Sequence, residues 1–161
     1  METWCEVLGR PLLEKGITRV FGRGRNPINW VSAADVAGFV ELAVVDEALH
    51  GQTLEIGGPD NLTMTDFVKV FKTESGSSGN IGHIPPAAMR VGSIVMSLVD
   101  PAMARQIRAG IVMDTAPMAF DASGVRRRYP SIPSTALREV VRRDFVRAHD
   151  LERAMPGVAT P

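Results

Sequence analysis

The sequence predicts an α/β chain rich in helix, with only a few short strands. Two observations carry this expectation. Apolar residues recur at helical spacing over most of the chain, in runs that open on Ser, Thr or Pro and close on Gly or Pro. The β-like runs are short and scattered, at residues 18–21, 28–31, 52–56 and 81–84. So few strands make no ordinary sheet by themselves; they suit extensions of a larger one.

Bulk composition narrows the class. A length of 161 residues fits one ordinary domain, and 45% hydrophobic with 22% charged residues is a folding composition. Eighteen basic against eighteen acidic residues give zero formal charge, which argues against a nucleic-acid partner. The single cysteine, Cys5, excludes an intramolecular disulfide. The start shows no basic region followed by an apolar run, so no leader is expected. The longest apolar stretch, residues 91–99, contains Gly92, Ser93 and Ser97 and stops at Asp100 and Pro101. It is too short for a bilayer. The expectation is a cytoplasmic chain without a membrane partner.

The elements follow in order. Residues 2–15 read as a helix with the stripe Cys5, Leu8, Leu12 and Leu13, kinked or split by Pro11. A helix opening at residue 2 without a cap reads as a segment of something longer. Strand 18–21 leads into a turn, residues 22–27, and an extended stretch, 28–31. Ser32 through Asp35 fits a capping box for a helix over 36–49 that is apolar nearly all round, and so expected to be buried on more than one side. Strand 52–56 ends in the turn Gly57, Gly58, Pro59, Asp60. Thr63 and Asp66 form a second capping box, opening a helix with Phe67, Val68, Val70 and Phe71 that closes at Gly76. After strand 81–84, Pro85 and Pro86 begin a helical region divided by Pro101. A short extended piece at 118–121, a helical turn at 123–129 and a rigid connector at 130–133 precede a last helix. Ser134 is its expected cap, and Leu137, Val140, Val141, Phe145 and Ala148 its stripe. Residues 1–150 read as one domain and 151–161 as a flexible tail.

Three segments carry a family resemblance: FGRGRNPINWVSAADVA at residues 21–37, LEIGGP at 54–59 with Leu62 and Thr63, and Phe120, Asp121 through Arg128, Tyr129, Pro130, Ile132 and Pro133. In that order and spacing they resemble the C-terminal, substrate-side half of atypical short-chain dehydrogenase/reductases of the NmrA-like kind. The resemblance spans residues 1–148. It implies the helix-rich, substrate-side part of a Rossmann-type, doubly wound fold, and an NAD(P)-dependent oxidoreductase as parent. Some such proteins are redox sensors or regulators, so a non-catalytic sensing or interaction module is the alternative.

The departures matter as much. The family holds NAD(P) on a G-x-x-G-x-x-G turn between strand and helix. Here Gly22, Arg23 and Gly24 come nearest, but the third glycine position holds Pro27 and the loop leads into a strand. That reads as a plain turn, so the dinucleotide half is expected outside this chain, which is then inactive alone. The Tyr-x-x-x-Lys pair is also missing: Tyr129 has Pro133 four residues on.

No catalytic residue is assigned. Capping accounts for Asp35 better than catalysis does. Glu41, on an apolar helix, is expected to be buried and paired with Arg19 or Arg90. His50, His83 and His149 stand far apart and Cys5 has no neighbouring ligand, so no metal site is expected. The arginines 126, 127, 128, 138, 142, 143 and 147 read as a solvated face. By resemblance, Trp4, Asn29 and Trp30 line a substrate pocket for a small apolar molecule, although tryptophans that fill core space weigh equally. Met89 and Met96, with Met103 seven further on, fit either core packing or an adaptable cover. Their place in the resembled family, beside the substrate cleft, adds Met89 and Met96 to the expected lining. Apolar surface left by an absent half implies self-association.

Overall fold

Met64, Phe67, Val68 and Phe71 recur at i, i+3, i+4 and i+7, which puts all four on one face of a helix. That helix, α4 (Met64–Ser75), buries all four and forms the spine of the core. The computed structural model describes residues 1–146. Ala148, Arg147, His149 and residues 151–161 lie outside the described residues.

The chain enters as α1 (Glu2–Trp4), a π-helical turn (Cys5–Gly9) and α2 (Arg10–Lys15). The expected effect of Pro11 is visible here. Proline has no N–H for the previous turn, and the helix widens to a π turn just before it. Gly9 sits in that turn, where a Cβ would stand 2.3 Å from Phe71 Cε2, so only glycine admits the ring. Gly16, at φ +66°, ends α2 in the left-handed conformation.

Strand β1 (Ile17–Phe21) pairs in parallel with β4 (Asn80–Ile84), from Ile17 opposite Asn80 to Phe21 opposite Ile84. Strand β2 (Pro27–Asn29) pairs antiparallel with β3 (Asn61–Thr63), and Met118 bridges to Ile28. Each sheet has two strands. The helix-rich α/β class therefore stands. Residues 52–56 form no strand. The β-like run there finds no pairing partner among the described residues, and a strand is defined by its neighbour.

Helix α3 (Ala33–Val45) departs from expectation. It buries Asp35 and Phe39 but leaves Val40, Val44 and Val45 at 57%, 74% and 71% exposure. Glu41 is exposed too, with no ion pair to Arg19 or Arg90. Helices α5 (Pro86–Val99) and α6 (Pro101–Thr115) form a hairpin divided at Pro101 as expected. Asp100 caps α6, its carboxylate accepting from the amides of Ala102 at 2.9 Å and Met103 at 3.0 Å. Helix α7 (Ser123–Arg128) and α8 (Leu137–Val140), which runs on as a π-helical turn (Val141–Val146), complete the described chain. Ser134 is not the cap of α8; Ala136 holds that position without a side-chain bond.

The core gathers one face from each end of the chain. Cys5, Leu8 and Leu12 meet Val20, Ile28, Trp30, the buried face of α4, and Leu137, Val140 and Val141. Phe71 packs edge-on to Phe145 with ring centres 5.5 Å apart.

Candidate functional site

A parallel strand pair delivers its connecting loops to the carboxyl ends of the strands, where α/β proteins place ligands. Here β1 runs into residues 22–25 and β4 into Pro85 and Pro86. These two exits, with the first turns of α4, enclose an open cleft of about 640 Å³. Its walls carry Arg23, Arg25, Thr65, Asp66, Lys69 and His83.

The loop on its rim is held from behind by Asp114. One carboxylate oxygen accepts from the amides of both Arg23 and Gly24, each at 2.9 Å. Gly22 and Gly24 take positive φ, 69° and 62°, which curls consecutive amides around the oxygen. A Cβ on Gly22 would lie 2.2 Å from the Asp114 side chain, and one on Gly24 2.4 Å from Val20 Cγ1. Asn26 completes the anchor, donating to the carbonyls of Met113 at 2.8 Å and Ala116 at 2.6 Å. The expected turn at residues 22–27 is thus present, and its glycines serve Asp114. This loop does not fit a dinucleotide pyrophosphate: the amides that would face phosphate are committed to a carboxylate, and the loop continues into β2.

At the mouth of α4, the Thr63 hydroxyl accepts from Asp66 N at 3.0 Å and donates to Asp66 Oδ2 at 2.7 Å. That hydroxyl, with Lys69 at 3.2 Å, holds the Asp66 carboxyl below its ordinary range. The second capping box therefore forms.

A second cleft, of about 430 Å³, lies between residues 58–61 and 120–126. Asn29 lines it. Its side-chain oxygen accepts from Gly58 N at 2.8 Å, and its amide donates to Gly58 O at 3.3 Å and Asn61 Oδ1 at 3.1 Å. A Cβ on Gly58 would fall 1.6 Å from the Trp30 carbonyl oxygen. The two glycines after Ile56 thus permit close passage of one backbone over another.

Asp35, at 1% exposure, lines another cleft of about 480 Å³ with Pro133, Thr135 and Glu139. It does not reach back to Ser32, as a capping box requires. Its carboxylate accepts from Thr135 Oγ1 at 2.6 Å, Thr135 N at 2.9 Å and Arg126 Nη2 at 3.0 Å. Arg126 also donates to the carbonyls of Gly57 and Pro133 and covers the Phe39 ring, 5.2 Å from its centre. Ser32 caps α3 alone, accepting from Ala34 N at 3.3 Å. Glu2 supplies the missing acceptor from a distant segment, taking bonds from Ser32 Oγ at 2.6 Å and Ala33 N at 3.0 Å.

Of the expected pocket residues, the clefts described above bring in Asn29 and not Trp4, Trp30, Met89 or Met96. Trp4 and Trp30 do meet, edge to face at 5.9 Å, but within the core: Trp30 is 5% exposed, tilts against Phe67 at 4.8 Å and donates its indole N–H to Leu62 O at 2.8 Å. Trp4 also meets Phe21 at 6.2 Å. Met89 is buried where α5 faces Gly110 of α6 and Phe21. Met96 is half-buried on α5. Asn29 lines the cleft between residues 58–61 and 120–126.

Arg126 was the principal residue missed. It sits in a run of three arginines whose composition reads as solvated surface, and nothing local marks one of them as buried. The remaining arginines do not form one free face either. Arg142 pairs with Glu74, Arg143 with Asp144 and Glu2, Arg127 donates to Ser123 Oγ, and Arg128 lies over the Tyr129 ring.

No family model matches the chain, and no curated protein matches it.

Proposed function

We propose that this chain is the substrate-side part of an NAD(P)-dependent oxidoreductase-like protein of the NmrA-like kind, with the dinucleotide bound by residues outside it. The observation that carries this reading is the parallel β1–β4 pair. Parallel sheets occur as larger, doubly covered layers, yet β1 pairs with β4 alone and keeps its second edge unpaired by any strand of the described residues. Ile17 and Arg19 also leave one face of β1 exposed. A doubly wound sheet continued by further strands would use both that edge and that face. The exposed valines of α3 fit the same geometry, as a helix face made to lie on such a sheet.

On this reading the chain contributes a pocket wall, is inactive alone and works in the cytoplasm. Among the described residues, no helix is long and apolar enough to cross a membrane.

The test has two arms. The first is calorimetric titration of NADPH and NADH into this chain; no binding is expected, and tight binding defeats the view that the cofactor site lies elsewhere. The second reads the genomic frame upstream of the Met1 codon and co-expresses what is found there. A strand–G-x-x-G-x-x-G–helix segment that restores NADPH binding supports the reading. An upstream frame closed by stop codons overturns it in favour of a self-standing interaction module.

A further inference from the structure

The cleft at the carboxyl ends of β1 and β4 is positively charged beyond what its own carboxylate balances. Asp66 is satisfied by Thr63 and Lys69. Asp114 lies behind the loop, its carboxylate accepting from the amides of Arg23 and Gly24. Arg23 and Arg25 form no ion pair among the described residues, and both line the cleft. With Lys69 they set three cations against the carboxylates of Asp66 in the cleft and Asp114 behind its loop, beside the imidazole of His83. At the same cleft, the Thr65 hydroxyl is buried without a hydrogen-bond partner. A buried polar atom left unsatisfied is uncommon and costs stability, so it calls for an explanation. Two amides at the start of α4 are already committed, Thr65 N to Gly24 O at 3.2 Å and Asp66 N to Thr63 Oγ1 at 3.0 Å. The side chains of the cleft are therefore its main source of affinity for an anion.

We infer that this cleft binds the phosphate group of a small anionic ligand, gripped by Arg23 and Arg25 with Lys69 alongside. Guanidinium groups match phosphate oxygens in paired, charge-assisted hydrogen bonds, and Arg23 and Arg25, two residues apart on an anchored turn, both line this cleft. Asp114 has the positioning role: it fixes the turn from behind and leaves the side chains to the ligand. The inference stands on the charge of this cleft and does not depend on the oxidoreductase reading.

Inorganic phosphate is the probe, titrated into the whole chain at constant ionic strength with chloride as the exchanged anion and followed by amide chemical shifts. Saturable shifts are expected at residues 22–25 and 65–69. Arg23→Ala with Arg25→Ala should weaken binding roughly ten-fold or more. The paired lysine variant, Arg23→Lys with Arg25→Lys, keeps the charge and should recover most of the loss. Arg108→Ala, which removes an exposed arginine on α6, should change nothing. All these side chains are exposed, so the variants should fold, which far-ultraviolet dichroism checks. Non-saturating shifts, an unchanged double alanine variant, or an equal loss in Arg108→Ala would each overturn the inference.

Discussion

Asp35 and Arg126, ninety-one residues apart, form a buried ion pair at 3.0 Å that ties the start of α3 to α7 and to the segment before α8. Removing one partner strands the other in the interior, which typically costs about 3–5 kcal/mol. Arg126→Met should therefore destabilise the chain by that order in chemical denaturation. Adding Asp35→Asn should recover part of the loss, since the amide needs no counter-charge and still accepts from Thr135. A double variant no better than Arg126→Met would show that the guanidinium matters through its bonds to Gly57 and Pro133.

The acid end of the stability profile should report Glu2. Burial works to raise its pKa, but the bonds from Ser32 Oγ and Ala33 N outweigh it and bring the carboxyl to about 2, from an ordinary 4.5. A folded pKa below the unfolded one stabilises the fold above the unfolded value, and that stability is lost as pH falls through the folded value. The contribution is thus complete above pH 4.5 and disappears towards pH 2. Glu2→Gln should flatten the pH dependence of the unfolding midpoint across that window while leaving other acid transitions in place.

Two left-handed glycines should respond differently to the same substitution. Gly51, at φ +75°, has nothing within 4 Å of a new Cβ, so Gly51→Ala meets only the left-handed backbone penalty, about 1–2 kcal/mol. Gly24→Ala adds contacts of 2.4 Å with Val20 Cγ1 and 2.7 Å with Thr65 Oγ1. It should lose clearly more, and amide exchange at Arg23 should accelerate as the loop lifts from Asp114. Equal losses in thermal unfolding would contradict the close packing of this turn.

Cys5 is fully buried, and burial pushes its thiol up to about 12. The thiolate is the reactive form. Alkylation by iodoacetamide at pH 8 should be negligible in the native state and should track global unfolding in denaturant. Rapid native labelling would show that the packing of the π-helical turn against α4 opens readily.

Much of the architecture was written locally. The stripe of α4, the break at Pro101, the Asp66 capping box and the turn at Gly22 and Gly24 each rest on neighbours within a few residues, so pattern reading reaches them. Strand 52–56 failed because a β-like run becomes a strand only when a partner exists. The Asp35 capping box failed in half because a stronger donor set, Thr135 and Arg126, lay beyond any local window.

The sequence by itself determined the helix-rich α/β class, most helix boundaries and the absence of a glycine-rich dinucleotide turn, because those depend on backbone geometry and spacing. Tertiary structure alone decided which charges are buried and which are free. Arg126 and Arg127 are neighbours of one chemistry, yet the first closes a buried network and the second faces solvent beside Ser123. Arg23 and Arg25 differ from both: the parallel pairing of β1 with β4 brings them, without an ion pair among the described residues, to a shared cleft. A charge is costly or useful only through what surrounds it, and for these residues the surroundings come from segments tens of residues away.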